Sequence, residues 1–146
     1  MPPIPNWPTI GPRDSGYNIC ALQCLLNFRN KNTALKTDGI FGPLTKNAVI
    51  AYQKGNNLVQ DGQAGPATIA KLVEGVIVRN PTTNMAARAA QYLLNKFGAT
   101  LVTDGIFGPK SAAAAKNFQN GMDIAKDGII GPVSWRYLLG YESYGC

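Results

Sequence analysis

Few of the 146 residues are of the types that do chemistry, and their spacing comes first. There is no histidine, which removes the commonest general base, proton shuttle and metal ligand together. The cysteines are Cys20, Cys24 and Cys146. A cysteine nucleophile normally needs a base beside it, and three thiols without histidine make a poor zinc site. Cys20 and Cys24 lie four apart on one predicted helix, where their side chains tilt the same way and a bridge between them would be strained. Cys146 could pair with either, or with another molecule; the simplest reading leaves all three reduced. The eight acidic residues are the other candidates. Glycosidic hydrolysis needs two carboxylates facing one bond. Instead, Asp38, Asp61, Asp104 and Asp127 each open a copy of one short motif, and Asp14, Glu74, Asp123 and Glu142 are scattered. No phosphate-cradling glycine loop and no nucleic-acid motif is present. The expectation is a chain with no catalytic residues, no metal and no cofactor.

Composition narrows the class. The chain is 45% hydrophobic and 9% aromatic, as in a globular domain, with no apolar run approaching the ~20 residues that span a membrane. The formal charge is +6, and the lysines are scattered rather than clustered, which reads as a solvated surface. The opening MPPIPNWPTIGP has no basic region followed by an apolar stretch, so it reads as a semi-rigid extended arm rather than a signal peptide.

The elements that must position these residues are repeated. TDGIFGP occurs at Thr37–Pro43 and again at Thr103–Pro109, and the 35 residues from Asp38 align without a gap on those from Asp104. Upstream, ALQCLLN at Ala21–Asn27 matches AAQYLLN at Ala89–Asn95. Each half carries an inner echo 23 residues on, so DGxxGPx[ST] appears four times. Asp-Gly is a turn pair, and Pro suits the first position of a helix. The Thr or Ser two places later is expected to reach back to a free N–H of the first turn. The helices that follow show apolar faces (Ala48, Val49, Tyr52 and Ala114, Ala115, Phe118; then Ile69, Leu72, Val73 and Trp135, Leu138, Leu139), with Gly55 and Gly121 as stops. A further helix precedes each long copy: about Tyr17 to Phe28, capped by Asp14 or Ser15, and one starting after Thr83 or Asn84 and ending near Gly98. Three short helices per repeat, roughly 60 residues, are marginal alone. Cys20 aligns with Arg88 and Cys24 with Tyr92, so both thiols are expected to be partly exposed. Phe41 and Phe107 read first as core plugs, and Gln53 and Gln119 as satisfiers of turn backbone groups.

Taken in order, LQxLLN, DGxFGPxT, an aromatic-Gln pair and DGxxGPxTxxxL resemble the three-helix peptidoglycan-binding domain appended to bacterial and phage cell-wall hydrolases. The resemblance covers nearly everything from Asp14 to Leu139, twice. It implies an all-α fold of two tandem three-helix repeats: an arm (1–13), repeat 1 (14–75), a linker (76–83), repeat 2 (84–140) and a tail (141–146). It implies a non-catalytic module that binds peptidoglycan, through its glycan strand or stem peptide, and holds an associated lytic enzyme at an extracellular cell wall; neither nucleic acid nor membrane is an expected partner. The alternative is a protein-interaction or propeptide-like regulatory domain on the same fold. Repeat 2 departs from the pattern in Ala90, which stands where repeat 1 has Leu22, and in its Ala-rich second helix. Sugar recognition combines aromatic faces with polar groups beside a groove. Aromatics off the predicted core faces are Tyr92, Tyr137, Tyr141 and Tyr144. Asn27, Asn95, Asp38 and Asp104 lie near the long turns. The expected ligand-binding set is Asn27, Asp38, Phe41, Tyr92, Asn95, Asp104, Phe107 and Tyr137, in a shallow groove between the first helix and the TDGIFGP turn of each repeat.

Overall fold

A computed structural model describes residues 2–14 and 16–142. Ser15, Tyr144 and Cys146 lie outside the described residues, and with them the expected roles of that cap, that aromatic and that thiol. Among the described residues there are six helices: α1 (Gly16–Arg29), α2 (Pro43–Gly55), α3 (Pro66–Val73), α4 (Met85–Lys96), α5 (Pro109–Met122) and α6 (Pro132–Gly140). Among these residues three isolated β-bridges accompany the helices and no strand forms. The fold is all-α, with three helices to each repeat.

The DGxxGP motif starts four of the six helices. Each of α2, α3, α5 and α6 begins at its proline, behind an extended glycine. The glycine after each turn aspartate is left-handed, with φ between 72° and 80°, where a Cβ would be strained. The following hydroxyl is not the partner of the N-cap N–H, which in α2, α3 and α5 goes instead to a turn carbonyl: Gly42 to Ile40, Gly65 to Gln63 and Gly108 to Ile106. The hydroxyl is engaged elsewhere, by a glutamine from another helix. Gln23 Nε2 donates to Asp38 Oδ1, the Ile40 carbonyl and Thr45 Oγ1, all at 3.1 Å, and Gln23 Oε1 accepts the Gly39 N–H. Gln53 clamps Asp61, Gln63, Thr68 and Gly62 in the same way. Gln91 does so for Asp104, Ile106, Ser111 and Gly105, and Gln119 for Asp127, Ile129, Ser134 and Gly128. Every amide is 1% exposed, so its hydrogen-bonding capacity is spent on one turn. Gln53 and Gln119 thus satisfy turn backbone as expected; Gln23 and Gln91 do the same for the long turns.

Helix ends differ slightly from expectation. Asn84 caps α4 by accepting the Ala87 N–H at 2.8 Å. Gly55 and Gly121 lie within their helices. The left-handed residues that end α2 and α5 are Asn57 (φ 57°) and Asp123 (φ 56°), of the residue types that tolerate this conformation.

The two repeats share one apolar core. The most extensive helix–helix contact is α1 against α4, while contacts within a repeat are sparse. This corrects the reading of the cysteines. Cys20 and Cys24 are 8% and 0% exposed, because the stripe they occupy faces the other repeat rather than solvent. Burial raises both thiol pKa values, that of Cys24 from 9.0 to about 12. At the edge of the same junction, Lys96 Nζ donates to Asn18 Oδ1 at 2.7 Å, and Asn18 Nδ2 donates to Glu142 at 3.2 Å.

The segments flanking the helices are packed too. Ile10 pairs with Ala64, and Val78 pairs in the equivalent way with Ile130. Ile10 and Val78 are fully buried. Trp135, also buried, donates its indole N–H to the Val76 carbonyl at 3.0 Å. Residues 76–83 therefore lie along the second three-helix unit as residues near Ile10 lie along the first. The proline-rich arm reaches further. Its start rests on α6 of the second repeat, where Tyr137 Oη donates to the Pro2 carbonyl and Arg136 Nε to the Pro5 carbonyl, and its end pairs with the first repeat at Ile10.

Candidate functional site

The long turns commit most of the polar groups singled out in the sequence. The Asp38 carboxylate accepts the Ile40 N–H at 3.0 Å and the Gln23 amide, and these bonds hold its pKa below the ordinary value. Asp104 is held down likewise, chiefly by the Ile106 N–H. Both aspartates remain exposed. Asn27 makes a two-way amide pairing with the backbone of Leu35, at 2.9 and 3.0 Å, and Asn95 makes the same pairing with Leu101. Each asparagine thus pins the loop between its first helix and long turn. The space expected for a groove between first helix and turn holds the side chains of Gln23 and Gln91.

The aromatics separate. Phe107 is fully buried, a core plug. Phe41 is half-buried and lines a cleft of about 490 Å³ with Ile10, Arg13, Lys46 and Asp61. Tyr92 is half-buried, its ring 5.7 Å from the Arg88 guanidinium, which itself donates to the Thr103 carbonyl at 2.9 Å. Tyr137 is 1% exposed, against the expectation that it lay off the core face. Its position matches Lys71 of the first repeat, which is solvent-facing; Tyr137 is covered because the arm crosses it.

The larger open clefts lie elsewhere, between the end of the first helix and the second helix of each repeat. The first-repeat cleft has a volume of about 530 Å³ and is lined by Leu26, Arg29, Ala48, Tyr52, Lys71 and Glu74, among others. Arg29 also closes the end of α3. Its guanidinium donates to the carbonyls of Leu72 at 2.8 Å, Lys71 at 3.2 Å and Glu74 at 2.6 Å. An arginine at a helix C-terminus satisfies unpaired carbonyls and complements the dipole. Lys71 and Glu74 form a partly exposed ion pair at 3.4 Å beside it. The second-repeat depression, about 650 Å³, is lined by Leu94, Phe97, Lys110, Ala114, Asn117 and Phe118, among others. None of the eight sequence candidates lines either cleft. The signal that could have found the cleft residues was the difference between repeats: Arg29 aligns with Phe97, Tyr52 with Phe118, Lys71 with Tyr137 and Glu74 with Gly140.

An aromatic ring, amides, two cations and an anion around an open cleft suit reversible binding of a polar polymer segment. Among the described residues no group of three or more His, Cys, Asp or Glu side chains could hold a metal ion, and no helix is long and apolar enough to cross a membrane.

Comparison with known proteins agrees with the repeat. The sequence pattern of a family described as a putative peptidoglycan binding domain matches twice, over residues 15–72 and 84–138. The chain is 34% identical over 135 residues to a probable N-acetylmuramoyl-L-alanine amidase of Bacillus licheniformis, covering 86% of this chain and 36% of that protein. It is 39% identical over 49 residues to the zinc D-Ala-D-Ala carboxypeptidase of Streptomyces albus G, covering 34% of this chain and 19% of that one. A solved peptidoglycan-binding protein from Clostridioides difficile, in complex with glutamine hydroxamate, is 33% identical over 43% of this chain and 40% of its own, with a TM-score of 0.42. The chain spans little more than a third of the amidase and about a fifth of the carboxypeptidase.

Proposed function

Since the chain belongs to the peptidoglycan-binding domain family, we propose that it is a non-catalytic module that grips the bacterial cell wall and holds a lytic enzyme against it. The observation that carries this reading is the double family match, in register with two three-helix units. The amidase relative supports the second half of it, the association with a hydrolase. The ligand is peptidoglycan, glycan strand or stem peptide, and the place of action is the extracellular wall. Neither nucleic acid nor membrane is a partner.

The cleft bounded by α1, α2 and α3 is the proposed site. Tyr52 offers a face for a sugar ring or a peptide methyl group. Lys71 and Glu74 offer hydrogen bonds of both polarities for carboxylates, amides and amines. Asn27 and Asn95 are assigned to holding loops, and Phe107 and Tyr137 to packing, because their polar or apolar surfaces are already engaged within the fold. Asp38 and Asp104 hold their turns through one carboxylate oxygen each while staying exposed.

Co-sedimentation with teichoic-acid-free sacculi at low and high salt, with DNA as competitor, tests the function. Retention at high salt in the presence of DNA is the expected result. Loss of pelleting at modest salt would point to charge attraction alone, driven by the +6 balance. Failure to pellet at any salt, with a stoichiometric complex with one protein, would favour the propeptide-like alternative.

A further inference from the structure

We propose that the two repeats divide the work: the wall polymer enters the cleft of the first repeat alone, and the proline-rich arm is the built-in occupant of the corresponding face of the second. The inference rests on the peptidoglycan-binding reading above.

The two clefts are built from matched positions but are not equivalent. In the first repeat the cleft extends across to α3, whose Lys71 and Glu74 form one wall; their side chains are 43% and 67% exposed. At the matched positions the second repeat has Tyr137 and Gly140, and neither lines its depression, which no residue of α6 reaches. Two features set that side apart from the first repeat. Phe97 and Phe118, standing where the first repeat has Arg29 and Tyr52, meet edge to face with ring centres 4.7 Å apart. They are 7% and 1% exposed, so buried hydrocarbon stands where the first repeat has the exposed Arg29 and the half-buried Tyr52, and the depression beside them has no wall from α6.

The second feature is the arm. Tyr137 Oη donates to the Pro2 carbonyl at 2.9 Å, Tyr141 Oη to the Pro3 carbonyl at 2.5 Å and Arg136 Nε to the Pro5 carbonyl at 2.7 Å. The Arg136 guanidinium lies 5.6 Å from the Trp7 ring. This chemistry suits a proline-rich strand: carbonyls point at donors, and prolines bring no N–H that must find an acceptor on an aromatic face. The fit is close. A Cβ on Gly140 would lie 2.5 Å from Pro5 Cγ and 2.6 Å from its Cβ, so any side chain at 140 and the arm exclude each other. Glu74 occupies the matched position in the first repeat.

Titration of the intact chain with a soluble disaccharide–tetrapeptide fragment, by calorimetry, decides the matter. The expected stoichiometry is one. Lys71→Ala with Glu74→Ala weakens binding at least tenfold, while Lys110→Ala with Asn117→Ala changes it less than twofold. A stoichiometry of two, or equal loss from the two pairs, overturns the division. Gly140→Ala and deletion of residues 2–8 both displace the arm while leaving Ile10 in place; a red shift of Trp7 emission reports displacement by the point variant. Either is expected to raise the stoichiometry above one, and a value that stays at one after displacement removes the arm from the account. Should only intact sacculi bind, the same two pairs are compared by co-sedimentation. If neither fragment nor sacculi bind the intact chain, it is the peptidoglycan reading that fails.

Discussion

Lys96 takes an ammonium group into the junction between the repeats, and burial pushes its pKa from 10.5 down to about 8, against the opposing pull of Glu142 and Asp14. The unfolded chain therefore binds more protons than the folded one between about pH 8 and 10.5, so stability rises with pH across that window. Cys20 and Cys24 act in the opposite sense. Their thiols ionise near 9.0 when unfolded but are held protonated by burial when folded, which lowers stability above that pH. Lys96 alone contributes a rise of roughly 1 kcal/mol between pH 8 and 9 and the thiols offset about half of it, so the expected profile is a net rise of about 0.5 kcal/mol, or ~1–2 °C in Tm for a chain this size, followed by a plateau or fall. Lys96→Met should flatten the rise, as read by thermal unfolding monitored by circular dichroism. A rise that survives this substitution would move the effect to another group.

At the scale of the element, the recurring unit is a turn held by a glutamine. Each Nε2 has two hydrogens and faces three acceptors, while its Oε1 takes the glycine N–H. The geometry is selective for an amide. Gln91→Glu would set a carboxylate against Asp104 and the Ile106 carbonyl, with no donor to offer either. The expected cost is about 3 kcal/mol, from lost bonds and buried unpaired groups. Gln91→Met should cost less, since it removes the donor without adding repulsion. Chemical denaturation of both variants at pH 7 checks the order. Repeating it near pH 4.5 should narrow the gap, because a protonated glutamic acid regains one donor.

For the whole molecule, the decisive contact joins α1 to α4. Cys24, Leu25, Ala86, Ala87 and Ala90 are all buried in a core common to both repeats. A fragment of residues 76–142 would expose the α4 surface and lose the arm from α6, leaving a core of marginal size. The intact chain should unfold in a single transition, with calorimetric and van't Hoff enthalpies equal. The fragment should be unfolded or dimeric at 25 °C, which sedimentation equilibrium distinguishes from a folded monomer. Two resolved transitions in the intact chain would show that the repeats are independent. Coupling of this kind also fixes where the first-repeat cleft sits relative to the arm and to anything attached to the arm.

The repetition of the sequence determined the number of helices, the placement of their starts and the fold class, because turn and helix-start chemistry is local. Asp-Gly, Gly-Pro and apolar spacing act within a few residues and leave their mark in the order of letters. The Phe107 plug and the roles of Gln53 and Gln119 were legible for the same reason. Only the tertiary structure decided what faces what. A stripe that is polar in one repeat, Arg88 and Tyr92, and sulfur-bearing in the other became an interface rather than a surface. Tyr137 became core because a distant proline-rich segment crossed it. Asn27 and Asn95 turned out to be paired with the backbone of Leu35 and Leu101, while Asp38 and Asp104 hold their turns and stay exposed. Burial and hydrogen-bond partnership between elements depend on contacts distant in sequence, and no local pattern records which of two equivalent faces the rest of the chain will cover.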